Sequence, residues 1–292
     1  MTRVGLIAKR GLTEASGVLA ELAGWLEARA IQAVFESDTA QLVGLPPGRP
    51  TASRDDLPRE CDLVVALGGD GTLIGMAGRI ALSGMDVPIL GVNFGSLGFL
   101  TEITLPELYE SLEAALAGQA SLESRAMLTA RTLRDDRPFA EHVVLNDIVI
   151  TKGALSRIIE MSVAIGEAAV TRVRADGLII ASPTGSTAYN LAAGGPIVHP
   201  AVDAMVLTPI APHTLTNRPV VIAGSLEVHV RPIMDGQDEV FVTFDGQSGF
   251  ALRRNDQVSI RRAPTPVRLV RSASRSYFDV LREKLKWGGD NR

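Results

Sequence analysis

Near residue 122 the chain changes rhythm, and this change limits the folds open to it more than its composition does. Before that point, short apolar runs alternate with stretches of helical spacing. Val4-Gly5-Leu6-Ile7-Ala8 reads as a buried strand, and Val18, Leu22, Trp25 and Leu26 then share one helical face between Thr13 and Arg29. Ala33-Val34-Phe35, Leu63 to Leu67 and Ile89-Leu90-Gly91-Val92 read as further strands, with a proline-rich loop expected over 44–58. Helices are expected over 72–82 and 108–116, the second opened by the capping-box pair Thr104 and Glu107. Such alternation builds a parallel, Rossmann-like α/β domain, expected over residues 1–122. After it, one strand-like segment follows another: 127–133, 143–151, 158–166, 169–174, 226–231, 240–244, 257–262 and 267–270. Asp135-Asp136-Arg137-Pro138 and Asp235-Gly236 read as turns between them. A β-rich, sandwich-like domain is expected over 123–270. In the tail, 271–292, Phe278, Leu281 and Leu285 fall on one helical face, which is expected to pack back on the first domain.

Composition removes several classes of function. A net charge of −4 without a basic cluster argues against general nucleic-acid binding. No apolar stretch is long enough to span a bilayer. Met1-Thr2-Arg3-Val4 runs straight into a strand with no leader pattern, so a soluble cytoplasmic protein is expected. The one cysteine, Cys61, excludes an intrachain disulfide and reads as a packing residue beside an apolar run. The four histidines show no metal-ligand spacing, and no metal-ligating residues are expected. Ser182 and Ser186 lack the setting of a hydrolase nucleophile.

Glycine is in excess, at 28 of 292 residues, and it clusters beside particular polar side chains. Gly68-Gly69-Asp70-Gly71-Thr72 lies where a buried strand turns into a helix, the edge of an α/β sheet at which ligands bind. Glycines there let backbone N–H groups approach phosphate oxygens, so Gly68, Gly69, Gly71 and Thr72 read as a phosphate-binding loop. Asp70 would repel a phosphate, but it suits the work of a base toward a hydroxyl; the alternative is a glycine-rich turn with a helix-capping aspartate. The loop has neither the lysine of a Walker A motif nor the spacing of a dinucleotide fingerprint. A second glycine-punctuated loop, 91–100, should emerge on the same sheet edge. Asn146-Asp147 sits inside the apolar strand 143–151, either as a hydrogen-bonded bulge or as a pair that binds ribose hydroxyls. The run 176–190 opens from four apolar residues into a hydroxyl-rich loop, which reads as a ligand loop or as a turn capping a helix.

Together these segments resemble the NAD kinase family, within the superfamily shared with diacylglycerol and sphingosine kinases. The resemblance rests on GGDGT at 68–72, GVNFGSLGFL at 91–100, LNDIVI at 145–150 and DGLIIASPTGSTAYNLAAGGPIV at 176–198. PHTLTNRP at 212–219 and FDGQ at 244–247 extend it. It implies transfer of the γ-phosphoryl of ATP to the 2′-hydroxyl of the adenosine ribose of NAD, with Asp70 as proton acceptor and Gly71 beside it. Asn146 and Asp147 match the family's Asn-Glu pair for the adenosine half, the acid here being one methylene shorter. Thr184, Thr187, Ala188 and Tyr189 match positions around the adenine and its ribose, and Asn190, Leu191 and Ala192 are further NAD-binding candidates that the resemblance implies. Asp176 matches the acid at the nicotinamide end, with Ala211 near it, and Arg157, Arg174 and Gln247 match further dinucleotide contacts. A basic residue at position 174 goes, in the family, with preference for NAD over NADH. The resemblance also implies Mg²⁺ brought with ATP and a homodimer or homotetramer whose sites are completed by a neighbouring subunit. Two other readings stay open at this point. One is a lipid kinase of the same superfamily, against which the absence of an amphipathic membrane anchor argues. The other is a non-catalytic NAD(P)-binding sensor, against which the intact Asp70 argues.

Overall fold

The structure, a computed structural model, describes residues 1–45, 48–153, 158–214, 216–235 and 239–287. Pro46, Pro47, Arg157, Leu215 and Gly236, each part of a motif or turn named above, lie outside them. The chain divides into two units: Met1–Ser124 together with Val267–Arg292, and Arg125–Pro266.

In the first unit, strands β1 (Arg3–Ala8), β2 (Gln32–Glu36), β3 (Thr51–Ala52), β4 (Leu63–Gly68), β5 (Ile89–Asn93), β6 (Ile103–Thr104) and β7 (Leu122–Arg125) are interleaved with four helices. These are α1 (Ala15–Glu27), α2 (Ser37–Val43), α3 (Asp70–Ser83) and α4 (Leu108–Leu116). Leu19, Leu22 and Leu26 of α1 and Leu108 and Leu112 of α4 are buried against Val4, Leu6, Val65, Leu67, Leu90 and Val92 on one sheet face. Helix α3 packs against β4 and β5 and buries Leu73, Ile74, Met76, Ala77 and Ile80. Strands with both faces covered need no polar alternation, hence the continuous apolar run Leu63–Leu67. Thr104 and Glu107 form the expected capping box, on a short 3-10 turn that leads into α4. Helix α2 and the short β3 were not expected. The buried Glu36 carboxylate caps α2 by accepting from the Thr39 amide at 2.9 Å and hydroxyl at 2.8 Å.

The second unit carries, among the described residues, two six-stranded antiparallel sheets. Its strands are β8 (Leu128–Arg134), β9 (Arg137–Val144), β10 (Asp147–Lys152), β11 (Ile159–Ile165), β12 (Ala168–Ala175) and β13 (Gly177–Ala181). After the short α5 (Tyr189–Ala192) come β14 (Ala204–Ile210), β15 (Val220–Ala223), β16 (Val228–Ile233), β17 (Val240–Phe244), β18 (Ser248–Leu252) and β19 (Gln257–Arg262). One sheet runs β15-β14-β13-β10-β17-β18 and the other β12-β11-β16-β19-β8-β9. Both contribute to a single core, Ile148, Ile150, Leu178 and Ile180 from one and Ala130, Met161, Val230 and Ile260 from the other. This is the expected sandwich. The outer faces of β10, β13 and β14 are buried as well, because Ala193 and Val198 lie over Val149, Ile179, Ala181 and Val206.

Two expectations are corrected. The single strand expected over 143–151 is two, β9 and β10, separated by Leu145-Asn146. The segment β20 (Val267–Val270), expected in the β-rich domain, pairs parallel with β5 through Leu269 and Ile89 in the first unit. A four-residue apolar strand carries no signal of its own about which sheet takes it. The first unit's sheet thus runs β3-β2-β1-β4-β5-β20-β7, with β6 beside β5. Helix α6 (Tyr277–Leu285) follows, with Val280 and Leu281 buried, and belongs to the first unit as expected. No described helix is long and apolar enough to cross a membrane.

Candidate active site

In the first unit's sheet, successive crossovers leave β1 toward β2 and β3 on one side and β4 toward β5 on the other. The strand order reverses between β1 and β4, and a crevice for ligands opens at their carboxyl ends. The glycine loop stands there. Gly68 closes β4 with a φ of +149°, and a Cβ on it would lie 2.9 Å from both Lys9 Cβ and Thr72 Oγ1. Gly69 is the extended N-cap of α3, and Asp70 is its first residue. The loop over 91–100 emerges on the same edge, as expected, since Gly68 lies opposite Asn93 in the β4–β5 register.

That second loop grips Asp70. Oδ2 accepts from the Phe99 amide at 2.9 Å. Oδ1 accepts from the Leu100 amide at 3.1 Å, the Thr101 amide at 2.9 Å and the Thr101 hydroxyl at 2.8 Å. Gly98 has no room for a side chain, because a Cβ there would run into the Asp70 carboxylate and the Thr101 hydroxyl. The sequence reading singled out neither Thr101 nor Lys9, both of which the fold places at the glycine loop. The loop contains no basic residue, but the parallel pairing of β1 with β4 brings one from the end of β1. The Lys9 amide donates to the Leu67 carbonyl at 2.9 Å, and its side chain is exposed, with no hydrogen bond or ion pair among the described residues. Lys9 also helps line a cavity of about 360 Å³ with Arg10, Gly11, Asp38, Thr39 and Gln41.

In the second unit, the break between β9 and β10 has a visible cause. Asp245, in the β17–β18 turn at φ +51°, accepts from the amides of Leu145 at 2.8 Å, Asn146 at 2.7 Å and Asp147 at 3.0 Å. These donors gather around one carboxylate instead of continuing a ladder, and Asn146 is left half-exposed at the turn. The FDGQ motif held the signal for Asp245, but only the fold shows what it fastens. Asp147 is 5% exposed; burial, and then the Asp245 charge, push its carboxyl up to about 7. Burial also raises Asp245, against the pull of its three amide donors.

The hydroxyl-rich loop is built onto the same turn. The Ser182 amide donates to the Asn146 carbonyl at 2.8 Å and its hydroxyl to the Leu145 carbonyl at 2.5 Å. Thr184 is buried, Thr187 and Ala188 are half-buried, and Tyr189 presents its ring to solvent at 46% exposure. Leu191 is half-buried, Ala192 exposed, and Gln247 stands exposed two residues beyond Asp245. Asn190 departs from expectation. It is fully buried, its amide donates to the carbonyls of Ser186 at 2.9 Å and Pro196 at 3.0 Å, and its oxygen accepts from Thr208 at 2.6 Å. Its side chain is a latch that ties the loop to β14, with both amide hydrogens donated to the protein.

The remaining candidates lie elsewhere. Asp147 pairs with Ala181 at one end of the β10–β13 ladder and Thr151 with Gly177 at the other. At about 3.4 Å per residue, Asp176, which lies opposite Lys152, is therefore about 20 Å from the Asn146 turn. There it sits with the exposed Arg174 and Ala211, and its carboxylate lies 3.4 Å from Lys152 Nζ. Arg157 is outside the described residues. A groove of about 570 Å³ on the outer face of the second sheet, lined by Arg172, His229 and Arg231, includes none of the candidates. Cys61 is buried, its Sγ 3.0 Å from the Leu57 carbonyl, and burial pushes its thiol up to about 12.

Comparison with known proteins bears directly on this arrangement. The ATP-NAD kinase N-terminal domain model matches residues 4–120, and the ATP-NAD kinase C-terminal domain model matches residues 145–272. The chain belongs to the ATP-NAD kinase family. Within the family it is 49% identical to an NAD kinase of Geobacter metallireducens and 47% identical to one of Geotalea daltonii, over 99% of each chain. Its fold matches the crystal structure of yeast NADH kinase complexed with NADH, with a TM-score of 0.89 and 25% identity, covering 100% of this chain and 89% of that one. An NAD kinase from Archaeoglobus fulgidus in complex with ATP matches in fold, with a TM-score of 0.76 at 22% identity over 97% and 98% of the two chains. The N-terminal family segment contains Lys9, Asp70 and Thr101; the C-terminal one contains the Asn146 turn, the hydroxyl-rich loop, Asp176 and Asp245.

Proposed function

We propose that this enzyme transfers the γ-phosphoryl group of ATP to the 2′-hydroxyl of the adenosine ribose of NAD, giving NADP and ADP. The observation that carries the reading is the setting of Asp70. It is a half-buried carboxylate fixed at the carboxyl edge of a parallel sheet, beside a glycine loop and a basic side chain. Both oxygens accept protein donors, yet a carboxylate has about four acceptor sites and Oδ2 uses one. An acceptor hydroxyl donating to Oδ2 becomes a stronger nucleophile toward phosphorus, and the rest of the catalysis is positioning and charge neutralisation. ATP enters as its Mg²⁺ complex, which is a substrate here, and Lys9 supplies the cation that the loop lacks.

Asn146 and Asp147 hold the adenosine ribose, Thr184, Thr187, Ala188 and Tyr189 surround the adenine, and Gln247 lies beside them. Asp176, Arg174 and Ala211 serve the nicotinamide end, where the Asp176 carboxylate attracts the cationic ring of NAD, and the basic residue at 174 is the family feature that goes with preference for NAD over NADH. In this reading the enzyme works in the cytoplasm as a homodimer or homotetramer. A coupled assay of NADP formation from ATP and Mg²⁺ tests the reading. Wild type is expected to turn over NAD in preference to NADH, and Asp70→Asn to lose about 10²–10⁴-fold in kcat with NAD binding kept. An Asp70→Asn variant with wild-type kcat would overturn the role of Asp70.

A further inference from the structure

The four hydrogen bonds to Asp70 are divided unequally. Oδ1 accepts three, from the Leu100 amide, the Thr101 amide and the Thr101 hydroxyl; Oδ2 accepts one, from the Phe99 amide. A carboxylate oxygen offers about two lone-pair sites, so Oδ1 is saturated and Oδ2 keeps one site open.

The Thr101 hydroxyl is itself held in a fixed sense. Thr101 is 1% exposed, so water does not compete for it. Asn93 Nδ2 lies 3.4 Å from Thr101 Oγ1 and 3.4 Å from the Thr101 carbonyl, and donates to the Ser96 carbonyl at 2.6 Å. Asn93 Oδ1 accepts from the Gly95 amide at 2.6 Å, which fixes which end of the amide is the nitrogen. An amide nitrogen only donates, so the Thr101 hydroxyl receives from Asn93 and turns its own proton to Asp70 Oδ1. The Gly98 amide donates to the Thr101 carbonyl at 3.2 Å and closes the loop. Asn93, Thr101 and Asp70 thus form a relay of fixed polarity, whose last member is the carboxylate.

We propose that Thr101 is a positioning residue for the phosphoryl transfer: its hydroxyl, the third donor on Oδ1, fixes the rotation of the carboxylate and draws charge onto Oδ1, so that Oδ2 is the oxygen presented to receive the proton of the acceptor hydroxyl. The inference rests on Asp70 being the proton acceptor. As the ribose oxygen forms its bond to the γ-phosphorus, its O–H bond breaks and the proton passes to Oδ2. The bond from the γ-phosphorus to the bridging oxygen breaks, and its electron pair leaves with ADP. Removing the hydroxyl leaves Oδ1 with its two amide donors alone, so the carboxylate loses its one side-chain donor and is held less firmly in the rotation that presents Oδ2.

Thr101→Val removes the hydroxyl and keeps the shape; Thr101→Ser keeps the hydroxyl and removes a methyl group. Steady-state kinetics on both, with NAD affinity measured separately by equilibrium binding, test the proposal. Thr101→Val is expected to lose about 10- to 100-fold in kcat, with KM for NAD and ATP within about twofold of wild type, and Thr101→Ser to recover to within about threefold. If the valine variant does not fold, Thr101→Ala against Thr101→Ser puts the same question. Equal losses in Ser and Val, or a wild-type kcat in Val beside an inactive Asp70→Asn, would overturn the positioning role while leaving Asp70 as the acceptor. A wild-type kcat in Asp70→Asn would remove the premise and the proposal together.

Discussion

Asp147 and Asp245 place two carboxyl groups in one buried corner, and only Asp245 is given amide donors. Asp245 is therefore the one that stays charged, and Asp147 carries the proton until the pH approaches about 7. Ribose hydroxyls donate most strongly to an ionised acid, so KM for NAD is expected to fall severalfold between pH 6 and pH 8 in wild type and to stay flat in Asp147→Asn. Stability runs the other way. The folded value lies above the unfolded 3.8, so the contribution of Asp147 is complete below that pH and is lost as pH rises through about 7. The loss is at most about 4 kcal/mol for a shift of this size. Urea denaturation at pH 5 and pH 8 should show a wild type less stable at pH 8 and a smaller difference in Asp147→Asn. A wild-type KM that does not change with pH would remove Asp147 from the ribose contact.

At the scale of elements, the parallel pairing of β1 with β4 is what joins a lysine to a glycine loop 59 positions further along the chain. A charged donor on a phosphate oxygen is worth about 1.5–3 kcal/mol. Lys9→Met should accordingly raise KM for ATP by about tenfold or more, leave KM for NAD unchanged, and be largely rescued in Lys9→Arg. An unchanged KM for ATP would return Lys9 to the surface. The same pairing marks what the sequence made legible. Periodicity was enough for α1, α3, α4 and α6 and for β1, β2, β4 and β5, because each carries an apolar face or run of its own. It missed α2, held by a buried glutamate cap, and β14, β15 and β18, whose apolar residues are interrupted or exposed. Asp70, Asn146 and Asp147 stood out as polar residues beside buried strands. Lys9, Thr101 and Asp245 did not, since their meaning lies in partners 30 to 100 positions away. Asn190 reads as a ligand contact in the sequence for the opposite reason: its partners, the Ser186 and Pro196 carbonyls and the Thr208 hydroxyl of β14, are visible only in the fold.

At the scale of the whole molecule, the dinucleotide-binding candidates fall at two ends of one ladder, about 20 Å apart by strand rise. If the Asp176 end completes a neighbouring subunit's site, Asp70→Asn and Asp176→Asn injure different halves of a shared site. Each variant alone is then expected to be inactive, while subunit exchange between the two should restore up to about a quarter of wild-type kcat, read in the NADP assay on the mixture. No recovery after demonstrated exchange would mean that each chain completes its own site. The return of β20 has a consequence of a different kind. The second unit, Arg125–Pro266, is inserted between two pieces of the first. A ribosome therefore finishes the sandwich before it releases the strand that pairs with the start of β5, and until Val267–Val270 emerges the Ile89 end of β5, which β6 does not reach, lacks its partner. The order of synthesis makes Val267–Val270 a closing step for the sheet that carries Asp70. A stop codon placed before Val267 would leave a complete sandwich joined to a first sheet that lacks β20.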